Sequence, residues 1–131
     1  TVGDSVANPE AERALAMRIA TNKDINAVAH IGRSFRPVEG NMKYPSDRYG
    51  YEFSVDNEFV LDTDDALYYA VFNFDKNNDL AKTADFSRIG IDPAKVKAIK
   101  ELWTGESVSP SGSGFNVSVP KCDVRMYRIE K

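Results

Sequence analysis

The sequence predicts a mainly β protein, an antiparallel sandwich or barrel, with one or two α-helices in front of it. From about residue 50 onward, short stretches of alternating apolar and polar residues follow one another, with turn residues about every eight to twelve positions. Residues 66–75 are apolar on both faces at period two, which is typical of a central strand covered on both sides. Residues 8–32 instead carry apolar residues at helical spacing.

The first helix is predicted over about residues 9–20. Residues 1–7 are small and polar, and we expect them to fray. Asn8 can cap a helix, and Pro9 suits the first helical position because its missing N–H is not needed there. The pattern therefore indicates a helix that begins directly after the polar start of the chain.

A second helix is predicted over about residues 22–31. Thr21 can cap its start, and Gly32 suits the position just after its end. After this point the helical spacing stops, so we interpret residues 1–32 as a helical segment and residues 33–131 as a separate β domain.

The β domain is predicted to open with a loop at residues 33–41, and residues 42–52 are either a long loop or an edge strand. Alternation then predicts strands at 51–55, 58–62, 66–74, 82–89, 96–103, 115–119 and 124–129. Asp56-Asn57 between the first two is a turn dipeptide typical of hairpins. Residues 75–79 are predicted to form a hairpin loop. For residues 94–102, a helix is the alternative to the predicted strand.

Composition excludes several classes of partner. The chain has 131 residues, the size of one domain, and a net charge of −3 without a basic stripe, which argues against nucleic acid and anionic membranes. No apolar run is long enough to span a bilayer, and no signal peptide is visible. The chain starts without Met, so we expect a mature or excised piece. Its compartment stays open, with a secreted or periplasmic location among the options.

Carboxylates are plentiful, but their positions favour turn formation over catalysis. Most flank predicted strands, where Asp suits the backbone geometry of a turn. The candidates are Asp47, Asp56, Glu58, Asp62, Asp64 and Asp65. Residues 75–79 have the Asp-x-Asn-x-Asp spacing of a calcium loop, yet Leu80 and Phe86 stand where the loop needs Gly and Glu. We therefore predict no catalytic residue, no metal site and no cofactor.

The remaining candidates are single residues and aromatic rings. His30 is the only histidine and Cys122 the only cysteine, so neither a nucleophilic triad, a zinc site nor an internal disulfide is indicated. Sugars stack on exposed rings, which makes Tyr44, Tyr49 and Tyr51 the candidate carbohydrate-binding residues, with plain packing as the alternative. Trp103 is predicted to serve packing.

Six short motifs stand in one order along the chain. Together they resemble the C-terminal antiparallel β-sandwich of α-galactosidase-type glycoside hydrolases, with the last helix of the catalytic barrel in front. The motifs are Thr21-Asn22-Lys23-Asp24-Ile25-Asn26-Ala27-Val28, Val71-Phe72-Asn73-Phe74-Asp75, Ile89-Gly90-Ile91, Leu102-Trp103-Thr104-Gly105, Val117-Ser118-Val119-Pro120 and Asp123-Val124-Arg125-Met126-Tyr127-Arg128-Ile129. The chain departs from the family pattern at Glu101, where Asp is usual, and at Cys122, where His or a small residue is common. Residues 33–65 match no family motif.

The resemblance implies an antiparallel Greek-key β-sandwich preceded by one or two N-terminal α-helices. It also implies a non-catalytic accessory domain that covers and stabilises the catalytic (β/α)8 barrel of a parent chain, because the family's catalytic carboxylates lie on that barrel. A complete barrel needs about 250 residues, so we expect no hydrolysis by this chain alone.

Three alternatives remain for the chain and its surface. The chain is either such an accessory domain, an independent carbohydrate-binding module, or a small complete enzyme.

The second apolar face of residues 66–75 needs a cover, which we expect to be the helices or the barrel. If neither covers it, the chain is expected to self-associate through the apolar face.

Overall fold

Strands dominate the described part of the chain. The computed structural model describes residues 35–38 and 57–131, together with the backbone of residues 42–45 and 52–55. The strands are β1 (Arg36–Pro37), β2 (Met42–Pro45), β3 (Glu52–Val55), β4 (Glu58–Asp62), β5 (Ala66–Asn73), β6 (Leu80–Asp85), β7 (Ala98–Glu101), β8 (Ser107–Val108), β9 (Gly114–Val119) and β10 (Asp123–Glu130). A short helix, α1, spans Phe86–Ile89, and a 3-10 turn spans Pro93–Lys95.

The strands form three antiparallel units. A large sheet has the order β1-β4-β5-β10-β7-β8, a small sheet pairs β6 with β9, and a hairpin pairs β2 with β3. Strand β5 lies inside the large sheet, where Tyr69 stands opposite Val60 of β4 and Tyr127 of β10. None of its residues is fully exposed. The prediction of a central strand covered on both sides is confirmed.

The two sheets share one apolar core. The small sheet packs on the face of the large sheet that carries Leu67, Tyr69 and Val71. Aromatic rings join the two layers, because the Phe115 ring of β9 lies 6.0 Å from that of Tyr69 and 5.0 Å from that of Tyr127, centroid to centroid. These rings meet at steep angles, 86° and 62°, as favourable edge-to-face pairs do. The mainly β, antiparallel part of the prediction is therefore confirmed.

A helix interrupts the strand predicted at residues 82–89. Strand β6 ends at Asp85, whose carboxylate accepts a hydrogen bond of 3.0 Å from the Arg88 N–H and caps α1. The helix ends at Gly90, which has a φ of 101° and donates its N–H to Phe86. The predicted strand therefore continued four residues too far. Ala84 and Phe86 extend the apolar alternation across the helix start, so the alternation did not reveal the cap at Asp85.

Several predicted connections were also wrong. Residues 36–37, predicted as loop, form a short strand that pairs with Val60 and Phe59 of β4. Strands β3 and β4 do not form a hairpin with each other, because β3 pairs with β2 and β4 pairs with β1 and β5. Residues 75–79 form no hairpin loop, since they connect β5 of the large sheet to β6 of the small sheet.

Residues 94–103, predicted as a strand with helix as the alternative, contain a short piece of each. A 3-10 turn comes first, capped by the carboxylate of Asp92, and strand β7 follows at Ala98–Glu101. The strand ends at Glu101, whose buried carboxylate accepts hydrogen bonds of 2.8 Å from the backbone N–H groups of Trp103 and Thr104. The side chain thus satisfies the backbone of the turn that follows.

Some predictions lie outside the described residues. They are the helices at 9–20 and 22–31, the domain boundary at residue 32, and the positions of His30, Asp47 and Asp56. Within the described ranges, the helices are too short or too polar to cross a membrane.

Candidate functional site

The large sheet has a second apolar face, on the side away from the small sheet. Residues opposite each other on neighbouring strands share a face, so Phe59, Ala70 and Met126 form one row across β4, β5 and β10. Leu61, Tyr68 and Arg128 form the next row. We call this surface the aromatic face; it comprises Phe35, Phe59, Leu61, Tyr68, Ala70, Phe72, Leu102, Trp103 and Met126.

The aromatic face has a buried centre and a half-buried frame. Leu61, Ala70 and Met126 are only 3%, 2% and 7% exposed, although they lie on the side of the sheet away from the shared core. The rings around them are only partly buried; these are Phe35, Phe59, Tyr68, Phe72 and Trp103. Such a centre cannot be explained by the shared core, and it requires a second layer of atoms.

Ring contacts connect the side chains at one end of the aromatic face. Phe72 stacks on Phe74 with a centroid distance of 5.5 Å and an interplanar angle of 11°, and it meets Phe59 edge-on at 5.9 Å. The Trp103 indole N–H donates to the carbonyl of Val124, which stands opposite Phe72. Trp103 therefore serves packing, as the sequence predicts.

Charged groups lie beside the apolar centre. The Arg128 guanidinium donates to the Tyr68 hydroxyl at 3.3 Å and lies 6.0 Å from the centre of the Tyr68 ring. It also lies 3.8 Å from the exposed carboxylate of Asp65, while Lys131 binds Asp62 at 2.6 Å. An apolar centre with a polar, partly solvated rim is the usual composition of a surface that meets another protein element.

A buried ion cluster pins the two sheets together elsewhere in the molecule. Glu58 of β4 has no exposed surface, and its carboxylate accepts 2.7–2.8 Å hydrogen bonds from both terminal nitrogens of Arg88. The Lys82 ammonium of β6 lies 2.7 Å from the same carboxylate, and the Tyr69 hydroxyl donates to it. Glu58 and Tyr69 belong to the large sheet, whereas Lys82 and Arg88 belong to β6 and α1, so the cluster crosses the core.

The cluster holds Glu58 in its charged form. Burial alone would raise the pKa of Glu58, but hydrogen bonds from Arg88, Lys82 and Tyr69 outweigh burial and lower it to about 2. Burial, followed by the hydrogen bond to Glu58, raises the pKa of Tyr69 well above its usual range. Both oxygens of the carboxylate are already occupied, so this arrangement serves structure and not proton transfer.

Glu58 is also a correction to the sequence analysis, which placed it among the turn carboxylates. It lies at an inward position of a strand, next to Val60 in the alternation. The sequence did contain a signal for this ion cluster, because Glu58, Lys82 and Arg88 all occupy inward positions of predicted strands. The other carboxylates that the structure describes in this group behave as predicted, since Asp62, Asp64 and Asp65 flank the turn between β4 and β5.

The calcium-like loop at residues 75–79 is held by its own backbone. Asp75 accepts hydrogen bonds from the N–H groups of Asn77 and Asn78 at 2.8 and 3.2 Å, which is Asx-turn geometry. These bonds lower the pKa of Asp75 below its usual value despite some burial. Asp79 accepts from the Lys121 N–H and ties the loop to the β9–β10 connection. Over residues 35–38 and 57–131, acidic, His and Cys side chains form no group of three that could hold a metal ion.

The predicted sugar-stacking tyrosines are not tested by the described residues. Tyr44 lies in β2, where its backbone pairs with Phe53 of β3. Its side chain, Tyr49 and Tyr51 fall outside the description. A shallow depression on the outer side of the small sheet is lined by Ala81, Lys82, Thr83, Asn116, Val117 and Ser118. Those residues bring no ring on which a sugar could stack.

Comparison with known proteins agrees with this architecture. The profile of the family described as the alpha galactosidase C-terminal beta sandwich domain matches residues 62–129. Among solved structures, the chain is similar to a Bacteroides fragilis NCTC 9343 protein assigned as an alpha-galactosidase/melibiase, with a TM-score of 0.58 and 14% identity over 86% of this chain and 22% of that one. A weaker likeness, with a TM-score of 0.45 and 12% identity over 60% of this chain and 17% of that one, relates it to the alpha-amylase of Geobacillus thermoleovorans.

The match to the Bacteroides fragilis structure concerns fold, because 14% identity is low. The chain spans only about a fifth of the length of that protein. No curated protein matches the chain. The family profile, in contrast, covers more than half of the residues and contains β5, both strands of the small sheet, and all but the last residue of β10. The chain therefore belongs to the family of alpha-galactosidase C-terminal β-sandwich domains.

Proposed function

We propose that this chain is the non-catalytic C-terminal accessory domain of an α-galactosidase-like glycoside hydrolase. Its partner is the catalytic (β/α)8 barrel of the parent chain. Residues 1–32 form the helical end of that barrel, and residues 33–131 form a Greek-key β-sandwich that covers and stabilises it. The observation that carries the proposal is the aromatic face, which is apolar and framed by half-buried rings on the side away from the shared core.

The described acidic groups support an accessory role. A retaining glycosidase needs two carboxyl groups about 5–5.5 Å apart across a cleft. Glu58 is saturated by Arg88 and Lys82, and Asp75 is saturated by the backbone of its own loop. Glu101 is buried against the turn that ends β7. Each of these carboxylates is committed to holding the fold.

Hydrolysis by the chain alone tests this role. We expect no release of nitrophenol from a nitrophenyl α-galactoside at high protein concentration, because the nucleophile and the acid would lie on the barrel of the parent chain. A full-length α-galactosidase serves as the positive control. Turnover that rises in proportion to the concentration of this chain, and survives a second purification step, would contradict the accessory role.

The alternative function is a carbohydrate-binding module built on Tyr44, Tyr49 and Tyr51. The feature that favours it is the β2–β3 hairpin, which places Tyr44 on a unit separate from the large sheet. Isothermal titration with galacto-oligosaccharides decides between the two functions. The accessory role predicts no heat of binding, whereas a module predicts binding that falls at least tenfold in Tyr44→Ala, Tyr49→Ala or Tyr51→Ala and persists in the matched control Tyr68→Ala.

A further inference from the structure

We propose that Lys82 keeps the open edge of the small sheet unpaired, so that β6 does not pair with the same edge of a second copy of the chain. The inference concerns association between copies. It needs no assumption about the enzyme, so it stands or falls separately from the proposed function.

Strand β6 has an open edge in the described part of the chain. It pairs with β9 on one side, and the described ranges contain no strand paired with its other side. The Phe86 N–H donates to the Ser113 carbonyl at 2.9 Å and continues the β6–β9 register, which fixes the alternation of the ladder. Even-numbered residues of β6 therefore bond to β9, and the N–H and C=O groups of Ala81 and Thr83 point outward from the edge.

The side chains along this edge are small. Ala81 and Thr83 are exposed on the outer side of the sheet, so no bulky group shields their backbone. An edge of this kind is a template for a further strand. In an antiparallel pair of two β6 strands, Thr83 can stand opposite Thr83 of the second copy, and such threonine pairs are favourable. The partner that this edge fits is therefore a second copy of the chain.

Lys82 places a charge in the middle of this edge, on the core side. Its ammonium lies 2.7 Å from the buried carboxylate of Glu58, yet the side chain keeps 27% of its surface exposed. Since β9 and the large sheet lie on its other sides, the exposed part faces the open edge. A strand added there would cover it and remove the remaining water from the ammonium, which is costly. Charged side chains that point inward from an edge strand are a known means of keeping the edge unpaired.

Glu58 holds Lys82 in this position. The carboxylate is itself fixed by Arg88 and Tyr69, independently of Lys82. The ammonium therefore stays on the core side, where its partner is. Replacement of Lys82 leaves Glu58 with its other two partners, so an uncharged residue at position 82 removes the protection of the edge and retains the rest of the ion cluster.

Analytical ultracentrifugation of the full 131-residue chain tests the inference. Lys82→Met keeps a long side chain and removes its charge. We expect the self-association constant of this variant to exceed that of the native chain at least tenfold, with unchanged far-UV circular dichroism. The matched control is Lys97→Met, because Lys97 is exposed and lies outside both strands of the small sheet. The control should associate no more than the native chain.

A proline shows whether the edge of β6 makes the contact. Thr83→Pro removes an outward N–H and no hydrogen bond to β9, and proline is tolerated at such edge positions. We expect Lys82→Met/Thr83→Pro to return to the association constant of the native chain. Lys82→Gln keeps a hydrogen-bond donor for Glu58 without the charge. It should associate as Lys82→Met does, and it takes the place of that variant if Lys82→Met does not fold.

Three results would overturn the inference. An unchanged association constant in the folded position-82 variant would show that the charge does not protect the edge. Association that persists in the double variant with Thr83→Pro would show that another surface makes the contact. A native chain that is associated, and that becomes monomeric on Thr83→Pro alone, would show that the edge is already paired.

Discussion

Replacement of Glu58 by Ala is expected to lower the free energy of unfolding by about 3 kcal/mol. Removal of one partner of a buried ion pair usually costs 3–5 kcal/mol, since the remaining charges and donors lose their compensation. Here the cost lies at the low end, because the side chains of Lys82 and Arg88 are 27% and 34% exposed and can turn toward water. The Tyr69 hydroxyl stays behind as a buried donor without its acceptor.

Urea denaturation measures this loss. Glu130→Ala is the matched control, because Glu130 is exposed at the end of β10 and should change stability by less than about 0.5 kcal/mol. In the double variant Glu58→Ala/Tyr69→Phe, the second substitution should cost less than Tyr69→Phe alone, since its hydrogen bond is already lost. A loss below about 1 kcal/mol for Glu58→Ala would mean that the cluster does not hold the sheets together.

The same carboxylate predicts a pH dependence with a defined sign. The pKa of Glu58 falls from 4.5 to about 2 on folding, so its contribution is complete above about pH 5 and is lost as the pH falls through 2. This drop is worth roughly 3 kcal/mol at 1.36 kcal/mol for each pH unit. The stability difference between the native chain and Glu58→Gln should therefore shrink as the pH falls from 5 to 2. A difference that stays constant over this range would contradict the assignment.

The second large effect is expected at Gly114, where β9 begins against β6. A Cβ atom there would lie 2.0 Å from the carbonyl oxygen of Ala84 and 2.9 Å from its carbonyl carbon. Both atoms belong to the backbone, so no side-chain rotation relieves the clash and the small sheet must shift. Gly114→Ala should lower the free energy of unfolding by about 3 kcal/mol, at the upper end of overpacking effects.

Gly112→Ala is the control for this substitution. Gly112 has a φ of 63°, and a Cβ there would meet nothing within 4 Å. Its cost is therefore limited to the left-handed backbone, about 1 to 2 kcal/mol. Equal losses for the two variants in thermal or urea unfolding would show that the close approach of Ala84 to Gly114 is relieved without cost.

The elements that the sequence predicted well are those whose signal is local. Strand β5 is apolar on both faces from Ala66 to Phe72, a pattern typical of a central strand. Strand β9 alternates because Asn116 and Ser118 are exposed between buried residues. Strand β10 alternates in sequence, but Met126 and Tyr127 are buried on opposite faces of the sheet. The predicted bounds of these strands differ from the structure by one residue.

The errors arose where pairing depends on distant residues. A turn dipeptide at 56–57 is compatible with a hairpin, but β4 finds its partners at β1 and β5 instead. The Glu58 cluster joins groups 24 and 30 positions away, at Lys82 and Arg88, which no local pattern connects. Helix α1 was missed for a local reason. It has only four residues, and the sequence signal for its start is a single capping residue, Asp85.

The central claim is that this chain is the C-terminal domain of an α-galactosidase-like enzyme. The most direct test is the coding sequence immediately upstream of the codon for Thr1. The account predicts an open reading frame in phase with this chain that encodes at least about 200 residues of alternating strand and helix patterns, as a (β/α)8 barrel requires. A stop codon in frame directly upstream, or an upstream region without that alternation, would contradict it.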